Sequence, residues 1–90
     1  MFDFDISDEL KFKISKLKNS KQAEMINKKI RQIINCDEDS ISHYKNLRFN
    51  LKDSKRVHID KSFVLTFKVN INDNFILFTD FDHHDKIYKK

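Results

Sequence analysis

The chain opens on an alternation. Phe2, Phe4 and Ile6 are apolar while Asp3 and Asp5 are acidic, the two-residue period of a half-buried strand. Ser7 then offers a helix N-cap, and Asp8 and Glu9 place negative charge in the first turn. Leu10, Ile14 and Leu17 follow at helical spacing and predict a helix of about three turns. Asn19-Ser20 interrupts it, with Ser20 expected to cap a second helix running to about Asn35. There, Ala23, Ile26, Ile30, Ile33 and Ile34 fall within an arc of roughly 100° on a helical wheel, and Lys21, Lys28 and Arg31 lie outside it. Phe12 and Met25 sit opposite the two apolar stripes, where large apolar side chains mark partner contacts.

Asp37-Glu38-Asp39-Ser40 is a polar interruption, expected as a loop, and the pattern from Ile41 to Leu51 assigns no element. After that the period changes. Lys55 to Ile59, Phe63 to Val69 and Phe75 to Thr79 are short and rich in β-branched and aromatic residues. Asp60-Lys61-Ser62 separates the first pair, and the Asn-rich stretch Asn70 to Asn74 separates the second. These predict a three-stranded antiparallel meander. The order is β-α-α-β-β-β, an α+β class in which a helical hairpin packs on a small antiparallel sheet because each element has one apolar side to bury.

Ninety residues suffice for one modest core, so the expectation is a single domain over 1–90. The sequence contains neither Gly nor Pro. Asn and Asp must then serve at turns, since they tolerate the left-handed region best after Gly. The same absence rules out a Gly-rich phosphate loop and a dinucleotide fingerprint. A lone cysteine, Cys36, excludes an internal disulfide and a cysteine-rich metal site. It is a poor nucleophile candidate, since the acids that follow it disfavour a thiolate. No run approaches the roughly 20 apolar residues of a membrane span, which points to a cytoplasmic protein without a membrane partner.

Charge adds a partner class. The net charge is +4, and between Lys11 and Asn35 eight Lys or Arg face a single acid, Glu24. Such a stretch suits nucleic acid or an acidic protein, or is a solvated face.

The element order, at this length, resembles the RelE/ParE toxin superfamily. In the second half the resemblance is to its YafQ-like branch. Ser54-Lys55-Arg56-Val57-His58-Ile59-Asp60-Lys61-Ser62-Phe63-Val64-Leu65-Thr66-Phe67 is similar to a pair of strands in which a basic residue and a His precede a turn and an aromatic opens the next strand. His83-His84-Asp85-Lys86-Ile87-Tyr88 resembles the family's ending, in which a His is followed four residues later by Tyr or Phe; His84 and Tyr88 match it. Lys45 and Leu47 stand where the family often has a basic or histidine residue and then a leucine. Two positions depart: Asp80 replaces a common Arg four residues before the signature His, and Ser62 replaces a common carboxylate.

The resemblance implies a type II toxin: an mRNA endoribonuclease that works on the ribosome and is held inactive by a cognate antitoxin protein. It would be monomeric alone and hetero-oligomeric with the antitoxin. The chemistry needs a base for the 2′-OH, a cation for the phosphorane charge and an acid for the leaving 5′-oxygen, and no cofactor. His84 is the first candidate acid or base and His58 the second, because imidazole titrates near neutrality. Arg56, two residues from His58, shares its face and can bind phosphate through two donors, as a substitute for the missing Arg. Tyr88 could stack on a base or donate its hydroxyl. Lys45, Arg48, Lys52, Lys55 and Lys61 are candidate RNA phosphate contacts. No metal site is expected at His83 and His84, since neighbours on an extended strand point to opposite faces. The alternatives are a catalytically degenerate relative that binds an antitoxin, and a basic domain that binds RNA without cleaving it.

Overall fold

The computed structural model describes residues 1–48 and 51–88. The elements run β1 (Asp3–Ile6), α1 (Asp8–Ser15), α2 (Ser20–Ile34), α3 (Glu38–Ser42), β2 (Asn46–Arg48), β3 (Leu51–His58), β4 (Phe63–Asn70), β5 (Phe75–His83) and α4 (His84–Tyr88). Among the described residues the five strands form one sheet in the order β1-β5-β4-β3-β2. The α+β class and the antiparallel β3-β4-β5 meander stand as expected. The sheet as a whole is mixed rather than antiparallel, because β1 pairs parallel with β5, Asp3 opposite Phe75 through Ile6 opposite Phe78. Parallel pairing needs a crossover connection, and the helices between β1 and the meander supply it.

Local chemistry sets the boundaries. Ser7 caps α1 with its Oγ accepting from the Leu10 N–H at 3.1 Å. The helix is two turns, not three: it closes at Lys16, whose N–H is shared between the Phe12 and Lys13 carbonyls. Asn19, not Ser20, caps α2, with its Oδ1 accepting from Lys21 and Gln22. Both are good caps, and the carboxamide one residue earlier reaches the first free N–H groups. Asp37 likewise caps α3, accepting from the Ser40 N–H at 2.7 Å, so the acidic segment expected as a loop begins a helix. Its carboxyl is held below the usual aspartate range by that bond. The unassigned stretch carries the end of α3, β2 and the first residue of β3.

Turns without glycine use Asn and Asp, as expected. Asp60 Oδ1 accepts from the N–H groups of Ser62 and Phe63 at 2.9 and 3.0 Å, closing the β3–β4 turn. Asn74, in the β4–β5 turn, holds φ at 53°. Its carbonyl accepts from the Asp3 N–H and its Nδ2 donates to the Met1 carbonyl, so one left-handed residue also anchors β1.

The core lies between α1, α2, α3 and one face of the sheet. Leu10, Ile26, Ile33, Ile41, Leu65, Phe67, Ile76 and Phe78 are fully buried there. Side chains of this size stabilise by roughly 1.5–3 kcal/mol each when removed from water. Phe12 is exposed, as its helical position predicts. Met25 is not: it is partly buried against the core, because α2 is packed over more than its isoleucine stripe. No helix among the described residues is long and apolar enough to cross a membrane.

The left-handed turn yields a test. Asn74→Ala should lower unfolding free energy by about 1–2 kcal/mol, while Asn74→Gly, which also loses the Nδ2 bond to Met1 but takes the left-handed region freely, should lower it by less. Urea midpoints of the three proteins check this.

Candidate functional site

The sheet face away from the main core is assembled by strand register. Val64 stands between His58 on β3 and Asp82 on β5, and Thr66 stands between Arg56 and Asp80. Directly opposed residues share a face, so His58-Val64-Asp82 and Arg56-Thr66-Asp80 are two adjacent rows. A shift in the β4–β5 register builds them. Thr66 opposes Asp80, but the next residue, Phe67, opposes Phe78, leaving Thr79 as the extra residue of a bulge. Ile76 and Phe78 face the core. Simple alternation would then carry Asp80 and Asp82 inward. The bulge reverses the parity, so Phe81 turns in and the two carboxylates turn out.

Three contacts hold the bulge. Thr79 Oγ1 lies 2.7 Å from Thr66 Oγ1. Ser7 Oγ donates to the Thr79 carbonyl at 2.6 Å, and the Ser7 N–H donates to the Phe78 carbonyl at 2.9 Å. The N-cap of α1 is therefore bonded directly to the irregular point of β5.

Lys13 of α1 answers the two carboxylates, with its Nζ 2.6 Å from Asp80 Oδ1 and 3.0 Å from Asp82 Oδ2. Partial burial pulls the Lys13 ammonium down in pKa. The hydrogen bonds and charges of Asp80 and Asp82 outweigh this and hold it above the ordinary lysine value. For Asp82, burial raises the carboxyl, and the Lys13 bond and the His83 N–H overcome that to hold it below the usual range. Composition did not single out Lys13 or Asp82. A signal existed for Lys13: with Leu10, Ile14 and Leu17 it completes the i, i+3, i+4, i+7 stripe, so this lysine sits on the buried side of its helix.

The two histidines come to one end of the sheet. His58 ends β3 and is exposed, opposite in parity to the half-buried Val57 and the buried Ile59. His84 begins α4, and its N–H donates to the Ser62 carbonyl at 2.8 Å, tying it to the turn that follows His58 by a few residues. Arg56 is half-buried one row further in, and its N–H donates to the Lys45 carbonyl. Lys45 and Lys61 are exposed near the same rows. Lys55 is not brought to them. It opposes Phe67, so it has core-side parity, and its Nζ donates to the Tyr44 carbonyl at 3.1 Å. The side chains of Arg48, Lys52 and Tyr88 lie outside the described residues. Cys36 is half-buried away from these rows, with its thiol on the Gln32 carbonyl.

Alternation does not govern His83 and His84. His83 is the last residue of β5 and His84 the first of α4, and their rings stack with centroids 4.5 Å apart. His84 Nδ1 lies 3.1 Å from Asp85 Oδ1, and His83 Nδ1 lies 3.7 Å from Asp85 Oδ2. The reason given above against a shared ion therefore fails, because the chain changes from strand to helix between the two.

A five-stranded mixed sheet backed by a helical hairpin is a fold shared with solved structures. No family model matches the chain. A chain of the intact E. coli RelBE toxin–antitoxin complex superposes with a TM-score of 0.72 at 13% identity, covering 92% of this chain and 96% of that one. YafQ from E. coli strain BL21(DE3) gives 0.71 at 15% identity over 98% and 99%. At such identity these likenesses establish the fold. The sequence carries further: the protein named "Putative toxin RelE4" of Methanocaldococcus jannaschii is 47% identical over 93 residues, covering all of this chain and 94% of that protein. The chain belongs to the RelE family of toxins.

The Lys13 cluster has a pH signature. A carboxyl with a depressed folded pKa, such as Asp82, stabilises fully above its unfolded value near 4, and that stability is lost as pH falls through the folded pKa. A raised lysine stabilises fully below its unfolded value near 10.4 and loses this as pH rises through the folded pKa. Lys13→Met removes the ammonium that both carboxylates bond. It should cost about 1–3 kcal/mol at pH 7, less than a fully buried pair because the lysine side chain is 27% exposed. The difference from wild type should shrink below pH 4, as Asp82 protonates. Denaturant melts of both proteins from pH 3 to 8 measure it.

Proposed function

We propose that this chain is the toxin of a type II toxin–antitoxin system, an endoribonuclease of one RelE-like domain that cleaves mRNA on the ribosome in the cytoplasm. The observation that carries the reading is the convergence of His58 and His84 at one end of the sheet, with Arg56 in the next row. In this reading one imidazole takes the 2′-OH proton and the other protonates the leaving 5′-oxygen, His84 being the first choice for one of these roles. Arg56 binds the scissile phosphate through two donors and stabilises the charge that grows on it. Lys45 and Lys61 contact flanking phosphates, and Tyr88 stacks on a base or donates its hydroxyl. The reaction balances without a metal: the 2′-oxygen bonds to phosphorus, the bond to the 5′-oxygen breaks, and the proton passes through the histidines.

The partner is a cognate antitoxin, as in the RelBE complex that shares the fold. The toxin is a monomer alone and a hetero-oligomer with the antitoxin. Exposed Phe12, with the Lys16 ammonium 5.3 Å above its ring, is the candidate apolar anchor for that contact.

A second reading has one observation in its favour. Asp80 stands where YafQ-like relatives commonly have Arg, and it is buried and bonded to Lys13. A chain that had lost its phosphate cation this way would keep the antitoxin surface without cleaving.

Programmed ribosomes separate the two. Wild type should cleave mRNA in the decoding site, and His84→Ala should reduce the rate by about 100-fold or more, the scale of a lost general acid or base. Folded wild type that leaves mRNA intact on ribosomes of its own organism, yet still binds its antitoxin, would establish the second reading instead.

A further inference from the structure

The last strand residue and the first two residues of α4 bring three metal-ligand side chains together. One donor atom each from His83, His84 and Asp85 lies within 4.8 Å of the others. Both imidazole Nδ1 atoms face the same carboxylate, His84 at 3.1 Å and His83 at 3.7 Å, each toward a different oxygen. Two ligands on a tetrahedral zinc ion, with bonds of about 2.0–2.2 Å, stand about 3.3–3.6 Å apart. The two His–Asp85 distances bracket that range, and drawing in the widest pair of the three, within 4.8 Å, closes the set around one ion. Solvent reaches all three side chains, at 38%, 39% and 62% exposure.

We propose that His83, His84 and Asp85 bind one divalent transition-metal ion of the zinc class. Two imidazoles and a carboxylate suit such an ion better than Mg2+ or Ca2+, which prefer all-oxygen sites. Three protein ligands leave a fourth position for water. The Asp85 N–H now donates to His83 Nδ1 at 3.2 Å, so binding replaces that bond with a metal bond at the same lone pair. The backbone is set for it at both sides: His83 is fixed by the β5 ladder opposite Phe63 with the two rings in a T-shaped contact, and His84 by its N–H on the Ser62 carbonyl.

The ion shares His84 with the reaction proposed above. A metal-held imidazole carries no proton to or from RNA, so the ion acts as an inhibitor of cleavage; this consequence rests on the proposed function, whereas the site itself rests on the geometry alone.

Calorimetric titration of the full chain with Zn2+ at pH 7.5 tests the site. Wild type should bind one ion per chain. His83→Ala and Asp85→Asn should each weaken binding by tenfold or more, while His43→Ala, an exposed histidine on another element, should leave it unchanged. Co2+ bound to wild type should show the visible spectrum of a tetrahedral nitrogen–oxygen site, lost in His83→Ala. Absence of saturable binding, or equal binding by wild type and both ligand variants, overturns the site. Ribosomal cleavage then tests the consequence: it should fall with zinc occupancy in wild type but not in His83→Ala. Zinc bound through these ligands with cleavage unchanged would overturn the catalytic place of His84 and leave the metal site standing.

Discussion

Strand β5 changes sides at Thr79, and much of the candidate site depends on that one extra residue. Before it, Ile76 and Phe78 feed the core; after it, Phe81 does. Without the bulge, two carboxylates would be driven into an apolar layer, where an unpaired charge costs several kcal/mol even after relaxation. With it, they emerge on the opposite face beside Thr66 and Val64. The irregularity is held from outside the strand pair by the Ser7 hydroxyl on the Thr79 carbonyl, and within it by the Thr66–Thr79 hydroxyl contact. One serine therefore starts α1 and fixes the kink of the strand on which the helix packs.

Lys13 follows from the same arrangement. Once Ser7 places the first turn of α1 against β5, the residue one and a half turns later reaches the two outward carboxylates. The cluster is compensated on both sides, the lysine raised and Asp82 depressed in pKa despite the burial that opposes both. That balance explains how Asp80 can be 8% exposed in a domain this small. It also gives the face a division of charge. On the β5 side one ammonium from α1 meets two carboxylates, while Arg56, His58, Lys45 and Lys61 lie toward β3 and its neighbouring turns.

Family and site inform each other here through a departure. The chain belongs to the RelE family, and the stretches whose sequence resembles the YafQ-like branch fall on β3, β4 and the ending. At Asp80 the charge of the commonly found residue is reversed. Arg56 lies in the same cross-strand row, separated from Asp80 by Thr66 alone. The proximity of His83 and His84 to one carboxylate adds a second property to the same end of the molecule.

The sequence by itself determined the elements that carry a strong period: the opening strand, both long helices, the three strands of the meander and the outward parity of His58. These are local matters, decided by side-chain spacing and by caps within a few residues. It also determined that Asn and Asp would shape the turns, since no glycine was present to do so. It pointed to Ser20 where Asn19 is the cap, because both can serve, and to a loop where α3 forms, because one turn has too few residues for a period. The tertiary structure alone decided the rest. Parallel pairing of β1 with β5 joins residues some 70 positions apart. The bulge lengthens β5 past Thr79, where the alternation is broken. Lys13 finds its carboxylates across the fold, and the strand-to-helix change after His83 puts two histidines on one side that alternation would have parted. Each of these depends on where a distant segment comes to lie, and no local pattern encodes that.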